Sequence, residues 1–265
     1  MAFSLLWLPD VLLEAGLKVS TVPGWENRGH GDVGKIFGVL CHHTGTAREG
    51  IMPTLNTLRD GRSDLPGPLS QLGLGRDGTY FVIAAGKCFH AGIGEWKGLK
   101  AGNTNFIGIE AENSGSQPYP AVQIDAYRRG AAAILRKIKQ GAEFCAGHRE
   151  YALPAGRKDD PKFDMKEFRL SVAAILSGAA PPPILIPAVE PPVSPGAPVG
   201  RPTLRRGSEG EFVKQLQQKL GVEVIGHFGP RTEAALRAFQ RQHKLVPDGI
   251  VGPRTWSALD AVVGT

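Results

Sequence analysis

Residues 36–44 read IFGVLCHHT, an apolar run that closes on two adjacent histidines. A short run of this kind predicts a buried strand over 36–42. Side chains alternate across a strand, so only one of His42 and His43 can face a given cleft. Working outward, a helix is expected near 51–59, and a hairpin around Asp77-Gly78 with TYFVIAA as its second arm. FIGIEAE predicts a strand over 106–112. Ile124, Tyr127, Ala131, Ile134, Leu135 and Ile138 mark one face of a long helix over 121–139. EFCAG is a second strand-like piece leading into His148, and a last helix is expected over 164–176. Strands and helices interspersed in this way indicate an α/β fold, a mixed β-sheet flanked by helices.

The chain has 265 residues, 42% hydrophobic and 21% charged, the composition of an ordinary soluble protein. Its three cysteines, Cys41, Cys88 and Cys145, cannot form a complete disulfide set and match no zinc-finger spacing, so reduced thiols and a reducing cytoplasm are expected. The amino terminus carries apolar runs, but it lacks a basic start and Asp10 and Glu14 interrupt it, so no signal peptide is expected. No apolar run approaches the roughly 18 residues of a membrane span. A formal charge of +6 favours polyanionic partners. Nucleic acid is not the expected one, because no basic run with interleaved aromatics is present.

Residues 177–202 are dense in proline and small residues, which predicts an extended spacer between a domain at 1–176 and a tail at 203–265. The tail repeats itself: FGPRTEAAL at 228–236 and VGPRTWSAL at 251–259. Gly-Pro opens a helix in each copy, since proline suits a first turn whose N–H has no intrahelical partner. With the apolar spacing of Val213, Leu216 and Leu220 ahead of them, a small C-terminal three-helix domain is expected. Leu216-Gln217, Phe228-Gly229, Phe239-Gln240 and the stretch Asp248 to Trp256 closely resemble the peptidoglycan-binding domain appended to many wall hydrolases. From Arg201 on there are ten basic and six acidic residues, so most of the positive charge lies in the tail, which suits an anionic wall.

His148 to Asp164 reads HREYALPAGRKDDPKFD, a concentration of charge that is costly to bury unless compensated. Two neutral imidazoles and one carboxylate form a usual catalytic zinc set that leaves a fourth position for water. One histidine of the pair at 42–43, His148, and either Asp159 or Asp160 could supply it. HHT at 42–44, GIEAEN at 108–113, and GH at 147–148 followed by GRKDDPKFD at 156–164 resemble the zinc N-acetylmuramoyl-L-alanine amidases of the phage lysozyme and peptidoglycan-recognition-protein superfamily.

That resemblance implies His42, His148 and Asp160 as metal ligands, the last through its spacing from Lys158. It assigns Lys158 to stabilising the developing oxyanion and Glu110 to proton transfer. It also suggests a substrate contact from His90 in CFHAG. His43 is read as supporting a ligand, contacting substrate or simply packed, and Asn113 as a further substrate contact. Many relatives carry a tyrosine or histidine on the strand before the RDG turn. Here the region offers Gln71, which can hydrogen-bond substrate but cannot shuttle protons near neutral pH.

The implied protein is a modular, endolysin-like enzyme, expected to be monomeric. It would use zinc to hydrolyse the amide between N-acetylmuramic acid and the L-alanine of the stem peptide, with bacterial peptidoglycan as partner. As a phage product it would stay in the host cytoplasm until lysis, with no membrane insertion of its own. The rival readings are a non-catalytic peptidoglycan receptor and a zinc peptidase cutting within the stem.

Overall fold

The computed structural model describes residues 3–184 and 201–262, so most of the proline-rich stretch expected at 177–202 lies outside the described residues. The chain divides into two compact units, a larger amino-terminal and a smaller carboxy-terminal one.

The larger unit opens with α1, Leu8–Glu14, which has a proline in its first turn and buries Leu8, Val11, Leu12 and Leu13. The strand β1, Lys18–Thr21, follows, then β2, Gly38–His43. Helix α2, Leu55–Asp60, leads into a two-stranded ribbon of β3, Gly61–Arg62, and β4, Leu65–Pro66. Strands β5, Leu72–Leu74, and β6, Thr79–Val82, form the expected hairpin. In its turn Gly78 takes a φ of 78° and the Asp77 carboxylate accepts the Thr79 N–H and hydroxyl. A single turn, α3, Gly102–Asn105, runs into β7, Phe106–Ala111. The long α4, Ala121–Lys137, precedes β8, Cys145–Gly147; then come α5, His148–Tyr151, and α6, Met165–Leu176.

The six-stranded sheet has the order β1-β6-β5-β7-β2-β8. β2 runs parallel to both β7 and β8, and β5 runs parallel to β7 but antiparallel to β6, so the sheet is mixed as expected. Register fixes which residues share a face: Leu40 pairs with Gly108 and Ala146, and His42 pairs with Glu110, itself opposite Gly73. One face of the sheet's centre therefore carries small residues beside His42 and Glu110.

Some boundaries differ from those expected from the sequence. β2 begins at Gly38 and extends through His43, and α2 begins only at Leu55. α1 and β1 are additions to that reading; α1 packs against α4.

The smaller unit holds three helices among the described residues: α7, Glu211–Leu220, α8, Pro230–Gln242, and α9, Pro253–Val262. They enclose Leu204, Val213, Leu216, Phe228, Leu236, Val251, Trp256 and Leu259. The sequence repeat is also a repeat of hydrogen bonds. Gln217 Oε1 accepts from Gly226 N, while its Nε2 donates to His227 O and to Thr232 Oγ1. Gln240 Oε1 accepts from Gly249 N, while its Nε2 donates to Ile250 O and lies 3.4 Å from Thr255 Oγ1. Both glutamines are buried.

Candidate metal centre

His42 closes β2 on the small-residue face, and its backbone N–H donates to the buried Tyr127 hydroxyl of α4 at 2.8 Å. His148 begins α5. Glu150 fixes that helix start by accepting the Gly147 N–H, and Arg169 of α6 holds the Glu150 carboxylate with its two terminal guanidinium nitrogens. The loop after α5 returns to the same point, because the Arg149 N–H donates to Asp160 O at 2.7 Å.

His42 Nδ1 lies 3.0 Å from His148 Nδ1, and each lies 3.2 Å from Asp160 Oδ2. All three residues are buried, and their ligand atoms lie within 4.8 Å of one another. His148 Nε2 faces the carbonyl of Ala91 at 3.0 Å. A carbonyl only accepts, so Nε2 carries the proton, and the neutral ring turns its Nδ1 lone pair toward His42 and Asp160. Lone pairs and a carboxylate thus converge in a buried space, the donor set that suits a tetrahedral divalent cation.

The electrostatics agree. Burial, with the nearby His148, lowers the pKa of His42 to about 4, which keeps it neutral. Burial works against ionisation of Asp160, but the adjoining His148 and His42 outweigh it, and the carboxyl stays well below its ordinary range.

Glu110 is half-buried as a residue, yet its Oε2 is buried with no hydrogen-bond partner among the described residues. Burial, reinforced by the Asp160 charge, raises its pKa to about 8. Lys158 is exposed on the loop before Asp160, near enough for its charge to act on both Glu110 and His42. Asp159 is exposed and pairs with Lys162 at 2.6 Å, so the structure brings Asp160, and not Asp159, to the histidines.

The residues expected at the substrate have partners of their own. Gln71 is fully buried; its Oε1 accepts from Gly108 N and its Nε2 donates to Gly86 O, so it ties the sheet together. Asn113 is also buried, and its Oδ1 accepts from Gly115 N within its own loop. His43 packs beneath Gly115 with Nδ1 3.1 Å from the Tyr119 hydroxyl. His90 is buried behind His42, with Nδ1 3.2 Å from His42 Nε2. Sequence reasoning missed Glu150 and Arg169, because single polar residues on helices carry no signal until their partners are known.

The profile of the N-acetylmuramoyl-L-alanine amidase family matches residues 32–163, and that of a putative peptidoglycan binding domain matches residues 209–259. An uncharacterized protein in the bpoA1 3' region of Kitasatospora aureofaciens is 44% identical over 72 residues, covering 24% of this chain and 61% of that protein. The zinc D-Ala-D-Ala carboxypeptidase of Streptomyces albus G is 40% identical over 65 residues, covering 22% of this chain and 26% of the carboxypeptidase. The chain therefore spans less than two thirds of the length of either curated relative. Among solved structures, the complex of the E. coli N-acetylmuramyl-L-alanine amidase AmiD with the substrate anhydro-N-acetylmuramic acid-L-Ala-D-gamma-Glu-L-Lys aligns with a TM-score of 0.44 and 20% identity. That alignment covers 89% of this chain and 92% of AmiD.

Proposed function

The chain belongs, through residues 32–163, to the N-acetylmuramoyl-L-alanine amidase family, and from that premise we propose that it is a zinc-dependent peptidoglycan hydrolase. Its bond is the amide between N-acetylmuramic acid and the L-alanine of the stem peptide. The observation that carries this reading is the convergence of His42 Nδ1, His148 Nδ1 and Asp160 on one buried point, with a protonatable Glu110 across the strand pair from His42.

His42, His148 and Asp160 would hold the metal. When bound, zinc supplies Lewis acidity toward the scissile carbonyl and lowers the pKa of an attacking water toward about 7. Glu110 takes the proton of that water and returns it to the leaving amine. Lys158 brings its ammonium to the negative charge that develops on the carbonyl oxygen. Residues 209–259 match the putative peptidoglycan-binding profile and concentrate the catalytic unit on its polymeric substrate.

The finer reading is an endolysin that waits in the host cytoplasm. It predicts that cells expressing the protein lyse only after their membrane is permeabilised.

Digestion of purified peptidoglycan by zinc-loaded and chelated protein, followed by mass spectrometry, tests the activity. Free stem peptides beginning at L-alanine, lost on chelation and regained with zinc, are expected. Intact glycopeptides with cut stems would replace the reading with a peptidase, and wall binding without release would replace it with a receptor.

A further inference from the structure

One dipeptide stands behind both imidazoles of the centre. The His90 ring meets His42 Nε2 through Nδ1 at 3.2 Å, and the carbonyl of the next residue, Ala91, meets His148 Nε2 at 3.0 Å. The backbone there is itself pinned: Asn103 Oδ1 accepts both the His90 N–H, at 2.9 Å, and the Ala91 N–H, at 2.8 Å. Asn103 belongs to α3, whose Gly102 N–H donates to the Tyr151 hydroxyl of α5 at 2.9 Å. The sheet leaves room for the His90 ring with a glycine, since a Cβ on Gly108 would lie 2.8 Å from His90 Cγ.

We propose that His90-Ala91, held by Asn103, is the device that orients both metal-binding imidazoles and fixes their tautomers. His90 is thus a positioning residue and not a substrate contact. His90 Nδ1 accepts the Nε2–H of His42, as Ala91 O accepts that of His148, so both rings turn an Nδ1 lone pair toward Asp160. Partners of this kind set ring orientation and ligand basicity, and their removal costs roughly 10- to 100-fold in metal affinity. The inference rests on the zinc reading above and concerns which atoms support it.

Zinc affinity, measured by competition with a chelating dye, tests it independently of activity. His90→Leu and Asn103→Leu are each expected to weaken zinc about 10- to 100-fold. His90→Asn, whose Oδ1 can stand where Nδ1 was, is expected to stay within about threefold of the unaltered protein. Unchanged affinity in His90→Leu with a raised KM would overturn the proposal in favour of a substrate contact.

Should His90→Leu fail to fold, long-range 1H–15N correlation spectra of the zinc-loaded unaltered protein decide. His42, His148 and His90 are all expected to be Nε2-protonated, and an Nδ1-protonated His90 would overturn the proposal. Failure of the unaltered protein to bind zinc would instead sink the metal centre itself, so the two failures are distinguishable.

Discussion

Glu110 stands directly across the parallel β2/β7 pair from His42, in register on the same face of the sheet. A two-residue shift of either strand would separate them, and a one-residue shift would send one to the opposite face. The candidate proton carrier and the first candidate ligand are therefore placed by backbone pairing, before any side chain chooses a rotamer.

The ligand set can be checked by metal content. His42→Ala, His148→Ala and Asp160→Ala are expected to abolish stoichiometric zinc, measured by atomic emission on dialysed protein. Asp159→Ala should retain it, because Asp159 is exposed and engaged with Lys162. Loss of zinc in Asp159→Ala alone would reverse the assignment.

Glu110 predicts a pH dependence of the metal-free protein. Its folded pKa of about 8 lies above its ordinary value of 4.5, so the folded state keeps a proton that the unfolded chain releases. Its contribution to stability is present below about 4.5 and is lost as pH rises toward 8. His42 acts oppositely: lowered from 6.5 to about 4, it contributes stability that is lost as pH falls through that interval. Between pH 7 and 8 the Glu110 effect should dominate. Denaturant titrations are expected to show Glu110→Gln more stable than the unaltered apoprotein at pH 8, on the order of 2 kcal/mol. Hydrolysis by the zinc-loaded variant should fall roughly 100- to 10,000-fold. Equal pH slopes in the two proteins would contradict this account.

Lys158 and Gln71 should separate catalysis from structure. Lys158→Met is expected to lower kcat about 100-fold with zinc content unchanged, as for loss of one electrostatic contact to an oxyanion. Gln71→Leu removes two buried hydrogen bonds and strands the Gly108 N–H. It should cost about 1–3 kcal/mol in thermal or denaturant unfolding, with KM unaffected in whatever protein remains folded. A raised KM at full stability would restore Gln71 as a substrate contact.

In the smaller unit the two glutamines predict a matched pair of effects. Gln217→Ala leaves Ile225 N and Gly226 N without their acceptor, and Gln240→Ala does the same to Gly249 N. Each should lower the unit's stability by about 2–3 kcal/mol, read by calorimetry, and weaken sedimentation of the protein with purified cell wall. A large effect from one and none from the other would show that the halves are not equivalent.

Much of the centre was legible in the sequence because its atoms sit at the ends of strongly apolar segments. IFGVLCHH and FIGIEAE announce strands, and strand ends are where a buried sheet delivers polar groups. The long helix over 121–139 declared itself by periodicity and was found at Ala121–Lys137. The choice between Asp159 and Asp160 came from resemblance, and the physical reason appears only in three dimensions: the Arg149 N–H holds the Asp160 carbonyl. The partners of Gln71, Asn113 and His90 were not legible for a similar cause. An amide or imidazole has the same letter whether it meets substrate or backbone, and only burial and partners tell the two apart.

The hydrogen-bond repeat of the smaller unit amounts to an alignment that the chain carries within itself. Gly221 and Lys244 are matched ends of matched helices, and both take left-handed φ values, 66° and 57°. One half thus has glycine, which adopts this backbone freely, and the other a lysine, which adopts it at some cost. Phe228 and Val251 are both core residues, so there the halves differ in volume but not in chemistry. Glu233 and Trp256 occupy matched helical positions, yet one carboxylate engages Arg206 and Arg237 while one indole donates to Pro202 O. On a shared backbone, the same helical position thus anchors two arginines in one half and a backbone carbonyl in the other.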